Sequence, residues 1–195
     1  MNEHLVLSES NKEVKYTEEK QLYPDHPERF DKTKQVLCKE GLTGRCYWEV
    51  EWDAFVNIGV AYKCLERKGW WEVEIDRIKK AWCFTITCSK GYTFCHGLKR
   101  TFIPVPIIDV QAFLARPKRL GLFLDWPAGV LSFYWLSGDT KTLLHTFHTT
   151  FTEPLHPVFM VIGGSLTLSS VVKPKMDPVS TSGHFLSSLV LSVSL

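Results

Sequence analysis

GRCYWEVEW, running from Gly44 to Trp52, decides how this chain folds. Apolar and polar residues alternate along it one for one. Cys46, Trp48, Val50 and Trp52 share one face, and Arg45, Tyr47, Glu49 and Glu51 share the other. Successive side chains leave an extended backbone on opposite sides, so a repeat of two marks a strand buried on one face; a helix repeats every 3.6 residues. The same alternation continues downstream. Val56, Ile58 and Val60 oppose Asn57, Gly59 and Ala61; Trp82, Phe84, Ile86 and Cys88 point inward, while Cys83, Thr85, Thr87 and Ser89 point outward. Lys90-Gly91 reads as a turn leading into Tyr92 and Phe94.

Leu120, Leu122 and Leu124 alternate up to Asp125, and Trp126-Pro127-Ala128-Gly129 supplies a Pro-then-Gly turn before Val130 to Trp135 runs back as a hairpin. Leu143 to Thr150, Val158 to Ile162 and Ser165 to Val171 fit further strands, with Gly163-Gly164-Ser165 as the turn between the last two. Many short strands with turn residues between them, and no alternating helix signals, predict an all-β antiparallel sandwich. The charged stretch from Lys63 to Lys80 is expected to be a loop. After Val172 the pattern dissolves into Pro174, Pro178 and a Ser-rich run, so residues 173–195 are expected to form a disordered tail.

A chain of 195 residues is long enough for one sandwich to bury a core without disulfides, and seven Trp with twelve Phe are plentiful for filling it. A net charge of +2 is too weak to gather nucleic acid, and Arg116, Lys118 and Arg119 read as a solvated turn. The first residues, MNEHLVLSES, lack the basic start and apolar run of a secretory signal, and no stretch reaches the roughly 20 apolar residues needed to span a bilayer. With no Asn-x-Ser/Thr acceptor and six irregularly spaced cysteines, a reducing, cytoplasmic setting is expected.

Candidate chemistry fails on spacing. Cys83, Cys88, Cys95 and His96 invite a zinc site, but Cys83 and Cys88 are five apart and face opposite sides of an unbroken strand, and no Cys-x-x-Cys knuckle occurs. His145 and His148 are separated by face in the same way. Gly163-Gly164-Ser165 is a poor match to a nucleophile elbow, and no phosphate-cradling glycine loop is present. Glu49 and Glu51 are explained by a solvated strand face. The reading is therefore no enzyme, no metal and no cofactor. Large inward side chains leave little room for a small-molecule pocket, so recognition must use an outer face; parity points Asn57, Thr85 and Thr87 away from the core, and they form one patch if their strands are neighbours.

Five segments in order carry a resemblance: NEHLVLS (Asn2 to Ser8), YPDHPERFD (Tyr23 to Asp31), GRCYWEVEW, LGLFLDWPAGVLSFY (Leu120 to Tyr134) and FTEPLHPVF (Phe151 to Phe159). Together they resemble the PRY-SPRY domain, also called B30.2, in the form found in fish tripartite-motif ligases, NACHT-type receptors and stonustoxin-like proteins. The resemblance covers residues 2 to 172. It implies a bent, concanavalin-like jelly-roll sandwich, with a PRY part over about 2–40 and a SPRY part over about 41–172. The family's Leu-Asp-Pro opening and the short helix before it are missing, so one sheet edge is expected to be less covered.

In that family the domain grips a target through variable loops and one concave sheet face. Asn57, Thr85 and Thr87 match that face. Threonines there reduce the aromatic anchoring that dominates many interfaces; Trp70 and Trp71 either replace it, with Tyr23 and the Ile162-Gly163-Gly164 turn at the rim, or pack their loop onto the core. Trp126 and Pro127 are expected to hold the hairpin, with Trp126 covering the end of the sandwich. The resemblance implies a protein or peptide ligand, in innate-immune or ubiquitin-ligase-type signalling, with no nucleic acid, membrane or small-molecule substrate as partner. A degenerate or decoy fragment and a stonustoxin-like toxin component are the alternatives.

Overall fold

A computed structural model of the chain describes residues 1–53, 55–69, 78–87, 91–104, 117–169, 171–173 and 185–187. Every regular element among them is a strand. In chain order these are β1 (Leu5–Leu7), β2 (Glu13–Tyr16), β3 (Gln35–Leu37), β4 (Arg45–Trp52), β5 (Phe55–Tyr62), β6 (Ala81–Thr87), β7 (Gly91–His96) and β8 (Lys99–Ile103). They continue as β9 (Lys118–Asp125), β10 (Val130–Ser137), β11 (Thr140–His148), β12 (Leu155–Ile162), β13 (Ser165–Leu168), β14 (Val171–Lys173) and β15 (Phe185–Ser187). One antiparallel sheet runs β1-β2-β13-β4-β9-β10-β11, with β14 joined to β4 and β15 to β14; the second runs β3-β12-β5-β6-β7-β8.

The alternation of β4 does what its sequence requires. Cys46, Trp48, Val50 and Trp52 are buried, and they meet Leu120, Leu122 and Leu124 of β9 and Leu131 and Phe133 of β10 in the main core. The second sheet contributes Ile58, Phe84, Phe94, Phe159 and Val161 to the same core. Aromatic rings bridge the layers: Trp52 meets Phe84 edge-on at 6.1 Å, and Phe94 meets Phe133 at 5.4 Å. Each such side chain contributes roughly 1.5–3 kcal/mol by leaving water, and an edge-on pair adds about 0.5–1.5 kcal/mol.

The hairpin between β9 and β10 closes as its turn residues predict. The Asp125 carboxylate accepts from the Ala128 amide at 3.1 Å, and Gly129 takes the positive φ of 69° that a side chain would resist. The Trp126 indole packs against the main core and donates to the Glu153 carbonyl at 3.0 Å.

The second sheet departs from simple alternation because both of its faces are covered in part. Cys83, assigned outward by parity, is fully buried, as are Ala61 and Cys95. They join Phe30, Leu37, Leu65, Ile78 and Val158 in a second apolar cluster. Two segments lie over this half of the sheet. Arg67 fastens them: its guanidinium donates to the Glu28 carbonyl at 3.1 Å and sits 5.0 Å above the Phe30 ring, while the Gly69 amide donates to Asp31 at 3.1 Å. Of the expected loop from Lys63 to Lys80, residues 63–69 and 78–80 form no strand or helix, and residues 70–77 lie outside the described residues.

Two further expectations need correction. Lys118 and Arg119 are strand residues of β9, not a solvated turn; Lys118 is buried opposite Trp52, and Arg119 pairs with Glu49. Arg116 lies outside the described residues. Within the expected tail, Phe185–Ser187 pairs with Val171–Lys173; residues 174–184 and 188–195 lie outside the described residues.

His156 on β12 is buried, and its Nδ1–H donates to the Cys38 carbonyl at 3.0 Å. Burial pushes its pKa below the ordinary 6.5, and the nearby Lys63 and Arg67 charges push the same way. The unfolded chain therefore binds the proton first as pH falls, so this histidine's contribution to stability is full above about pH 6.5 and shrinks below it. Urea unfolding at a series of pH values should show a decline on the acid side that is shallower in His156→Gln than in the parent chain.

Candidate functional site

Register across the second sheet sets Met160 of β12, Asn57 of β5 and Thr85 of β6 on one rung, and the rung continues to Thr93 of β7 and Phe102 of β8. These side chains point away from the main core. Beyond the reach of the second apolar cluster, the face opens into a groove of about 310 Å³ lined by Phe55, Val56, Asn57, Thr85, Ile86, Met160 and Ile162. None of these residues carries a charge. Phe55 and Ile162 are cross-strand partners at the open end and are 39% and 46% exposed, which makes them an apolar wall that water covers at a cost.

The floor is polar. The Thr85 hydroxyl donates to the Asn57 side-chain carbonyl, which leaves the Asn57 amide nitrogen as the donor that this pair can offer. Asn57 does face outward, yet it is only 6% exposed because the neighbouring side chains stand above it. It is a base for the groove, not a free surface patch.

The structure brings together part of the expected site. Asn57, Thr85 and Ile162 line one groove, and Gly163 follows Ile162 in the β12–β13 turn, where it and Gly164 take positive φ values of 78° and 66°. Thr87 ends β6 opposite Gly91, and its side chain lies outside what is described. Trp70 and Trp71 lie outside the described residues. Tyr23 is not among the lining residues: it packs against the main core, donates its hydroxyl to the Leu5 carbonyl at 3.0 Å and carries the Arg29 guanidinium 5.2 Å over its ring. Its role is to fasten the first segment to β1. Phe55 and Met160 were missed, although parity could have found them, since Phe55 shares a face with Asn57 and Met160 shares one with Ile162.

The outer face of the first sheet is tied up differently. Glu49 accepts from the Tyr47 hydroxyl at 2.8 Å and pairs with Arg119, while Lys141 lies 4.3 Å above the Tyr47 ring and donates to its hydroxyl at 3.0 Å. Burial and the Glu49 charge hold the Tyr47 pKa well above the ordinary phenol value. Gly121 makes room for this ring, because a Cβ there would lie 2.5 Å from the Tyr47 hydroxyl. Among the described residues no group of three or more His, Cys, Asp or Glu is placed to hold a metal ion, and no helix is long and apolar enough to cross a membrane.

The chain belongs to the PRY-SPRY family: residues 1–42 match the SPRY-associated domain PRY and residues 45–169 match the SPRY domain, a protein-interaction module of tripartite-motif-like proteins. It is 45% identical over 141 residues to neoverrucotoxin subunit alpha of Synanceia verrucosa, a match covering 72% of this chain and 19% of the toxin subunit. The chain thus spans about a fifth of that relative's length. The stonustoxin structure superposes with a TM-score of 0.75 at 37% identity, over 86% of this chain and 27% of the toxin chain. The crystal structure of the TRIM65 PSpry domain superposes with a TM-score of 0.72 at 30% identity, over 86% of this chain and 85% of that domain.

Removing the Asn57 side chain strips the Thr85 hydroxyl of its acceptor in a largely buried setting. Asn57→Ala should lower the unfolding free energy by about 1–2 kcal/mol without changing the fold, as read from urea midpoints and circular dichroism.

Proposed function

We propose that this chain recognises a protein or peptide ligand by seating an uncharged, apolar side chain in the groove between Phe55, Met160 and Ile162, against the Asn57–Thr85 pair. The observation that carries this reading is the contrast on one sheet face: half is sealed by an apolar cluster, and the other half is open, with apolar walls over a polar floor and no charged lining residue. A ligand that covers Phe55 and Ile162 removes apolar surface from water and supplies an acceptor for the Asn57 amide. The chain catalyses nothing itself; it uses no nucleic acid, membrane or small molecule as its target. Its setting is cytoplasmic, in innate-immune or ubiquitin-ligase-type signalling of the tripartite-motif or NACHT-receptor kind; similarity to the TRIM65 domain supports the tripartite-motif part of this reading.

A second reading has an observation of its own. The 45% identity to a neoverrucotoxin subunit favours a toxin-like parent, in which this domain serves assembly or targeting of a larger protein.

Two experiments separate these readings. In a pull-down from cell lysate with the chain as bait, Phe55→Glu/Ile162→Glu should lose any specific prey while keeping the parent's melting temperature; a prey retained unchanged would remove the groove from recognition. In a dye-release assay, liposomes mixed with the purified chain should hold their contents under the module reading; leakage would favour the toxin-like one.

A further inference from the structure

Cys83 and Cys95 are directly opposed on the antiparallel strands β6 and β7, and both side chains are fully buried in the second apolar cluster. Opposed residues of such a pair have Cα atoms about 4.5–5.5 Å apart with both Cβ atoms on one side. That spacing falls within the roughly 4.4–6.8 Å that a disulfide spans. Neither cysteine is disulfide-bonded in the structure. The rung they occupy runs from Gly59 on β5 to Arg100 on β8. Gly59 is required there, since a Cβ would lie 2.9 Å from the Cα and Cβ of Cys83. At the other end the Arg100 guanidinium donates to the Cys95 sulfur at 3.6 Å, which sets a positive charge beside that sulfur.

We propose that Cys83 and Cys95 form an intrachain cross-link site, closed by thiol–disulfide exchange when the chain meets a small-molecule disulfide such as oxidised glutathione. The Cys95 thiolate attacks one glutathione sulfur, the glutathione S–S bond breaks, and one glutathione leaves as a thiolate. The Cys83 thiolate then attacks the Cys95 sulfur of the mixed disulfide, forming the Cys83–Cys95 bond and releasing the second glutathione. The two protons lost by the cysteines end on the two glutathione thiols, so the protein pair is oxidised by two electrons and the reagent reduced by two. Because both sulfurs are shielded, exchange takes place during folding or when the edge strand β8 opens. The bond ties β6 to β7 beside Thr85 and stabilises the sheet by restricting the unfolded chain. A protein with this pair is stable with thiols in a reducing compartment and becomes more stable in an oxidising one.

The test uses the full chain with Cys64→Ser, which removes the exposed thiol without touching the groove. After refolding in a glutathione redox buffer, alkylation and digestion without reductant, the expected product is a peptide pair joined through Cys83 and Cys95, with an intact mass lower by two hydrogens. Its melting temperature should exceed that of the reduced sample, and Cys83→Ser in the same background should abolish both the link and the gain. Recovery of Cys83 and Cys95 as separately alkylated thiols, a bond from either to Cys88, or an oxidised chain that has lost its strand signal in circular dichroism would overturn the proposal.

Discussion

The pairing of β5 with β12 on one side and β6 on the other is the constraint on which the rest depends. Met160, Asn57 and Thr85 share a rung only in this register. A slip of one residue on β5 would carry Asn57 into the main core and Ile58 onto the outer face, so both the packing and the groove would fail together. What resists the slip is burial on the inner side. Val56, Ile58 and Val60 are locked among Trp82, Phe84 and Phe159, and exposing any of them costs more than the ladder regains by shifting.

The second sheet is asked to be covered and open at once, and it divides its outer face to do so. Over one half, Phe30, Leu65 and Ile78 lie on Ala61, Cys83 and Cys95. Arg67 holds that cover through carbonyl oxygens and the Phe30 ring, which brings a guanidinium out of bulk water only where it finds partners. Over the other half the same strands present Phe55, Thr85 and Ile162 to solvent. The boundary falls within β5 and β6 themselves, so the rigidity of the covered half is transmitted directly to the floor of the groove. A site built on paired strands in this way holds its geometry better than one built on loops.

Membership of the PRY-SPRY family accounts for the sandwich and its order of strands, and relatives as different as a fish toxin subunit and a tripartite-motif protein share that frame. What distinguishes this chain is written on the frame: an uncharged groove, a Tyr47–Glu49–Arg119–Lys141 strip on the opposite sheet, and a thiol pair within a buried rung. The first of these lies on a face that strand parity exposes, and the last on a face that only the cover conceals.

Period-two alternation was enough to read β4, β5, β6, β9 and β10, because one face of each is apolar throughout and backbone geometry leaves no other way to bury it. The turn at Asp125 to Gly129 was equally legible, since its residues carry their own conformational preferences. Strands β1, β2, β3 and β8 were not, being three to five residues long and lacking a clean repeat, so only their partners define them. The same division applies to the site. Parity put Asn57 and Thr85 on the outer face, but it could not tell that Asn57 would sink beneath Phe55 and Met160, that Tyr23 would be spent on the Leu5 carbonyl, or that Cys83 would be sealed under Phe30. Which side a side chain leaves from is a local property of the backbone; what then lies over it depends on residues tens of positions away, and only the tertiary structure brings those into place.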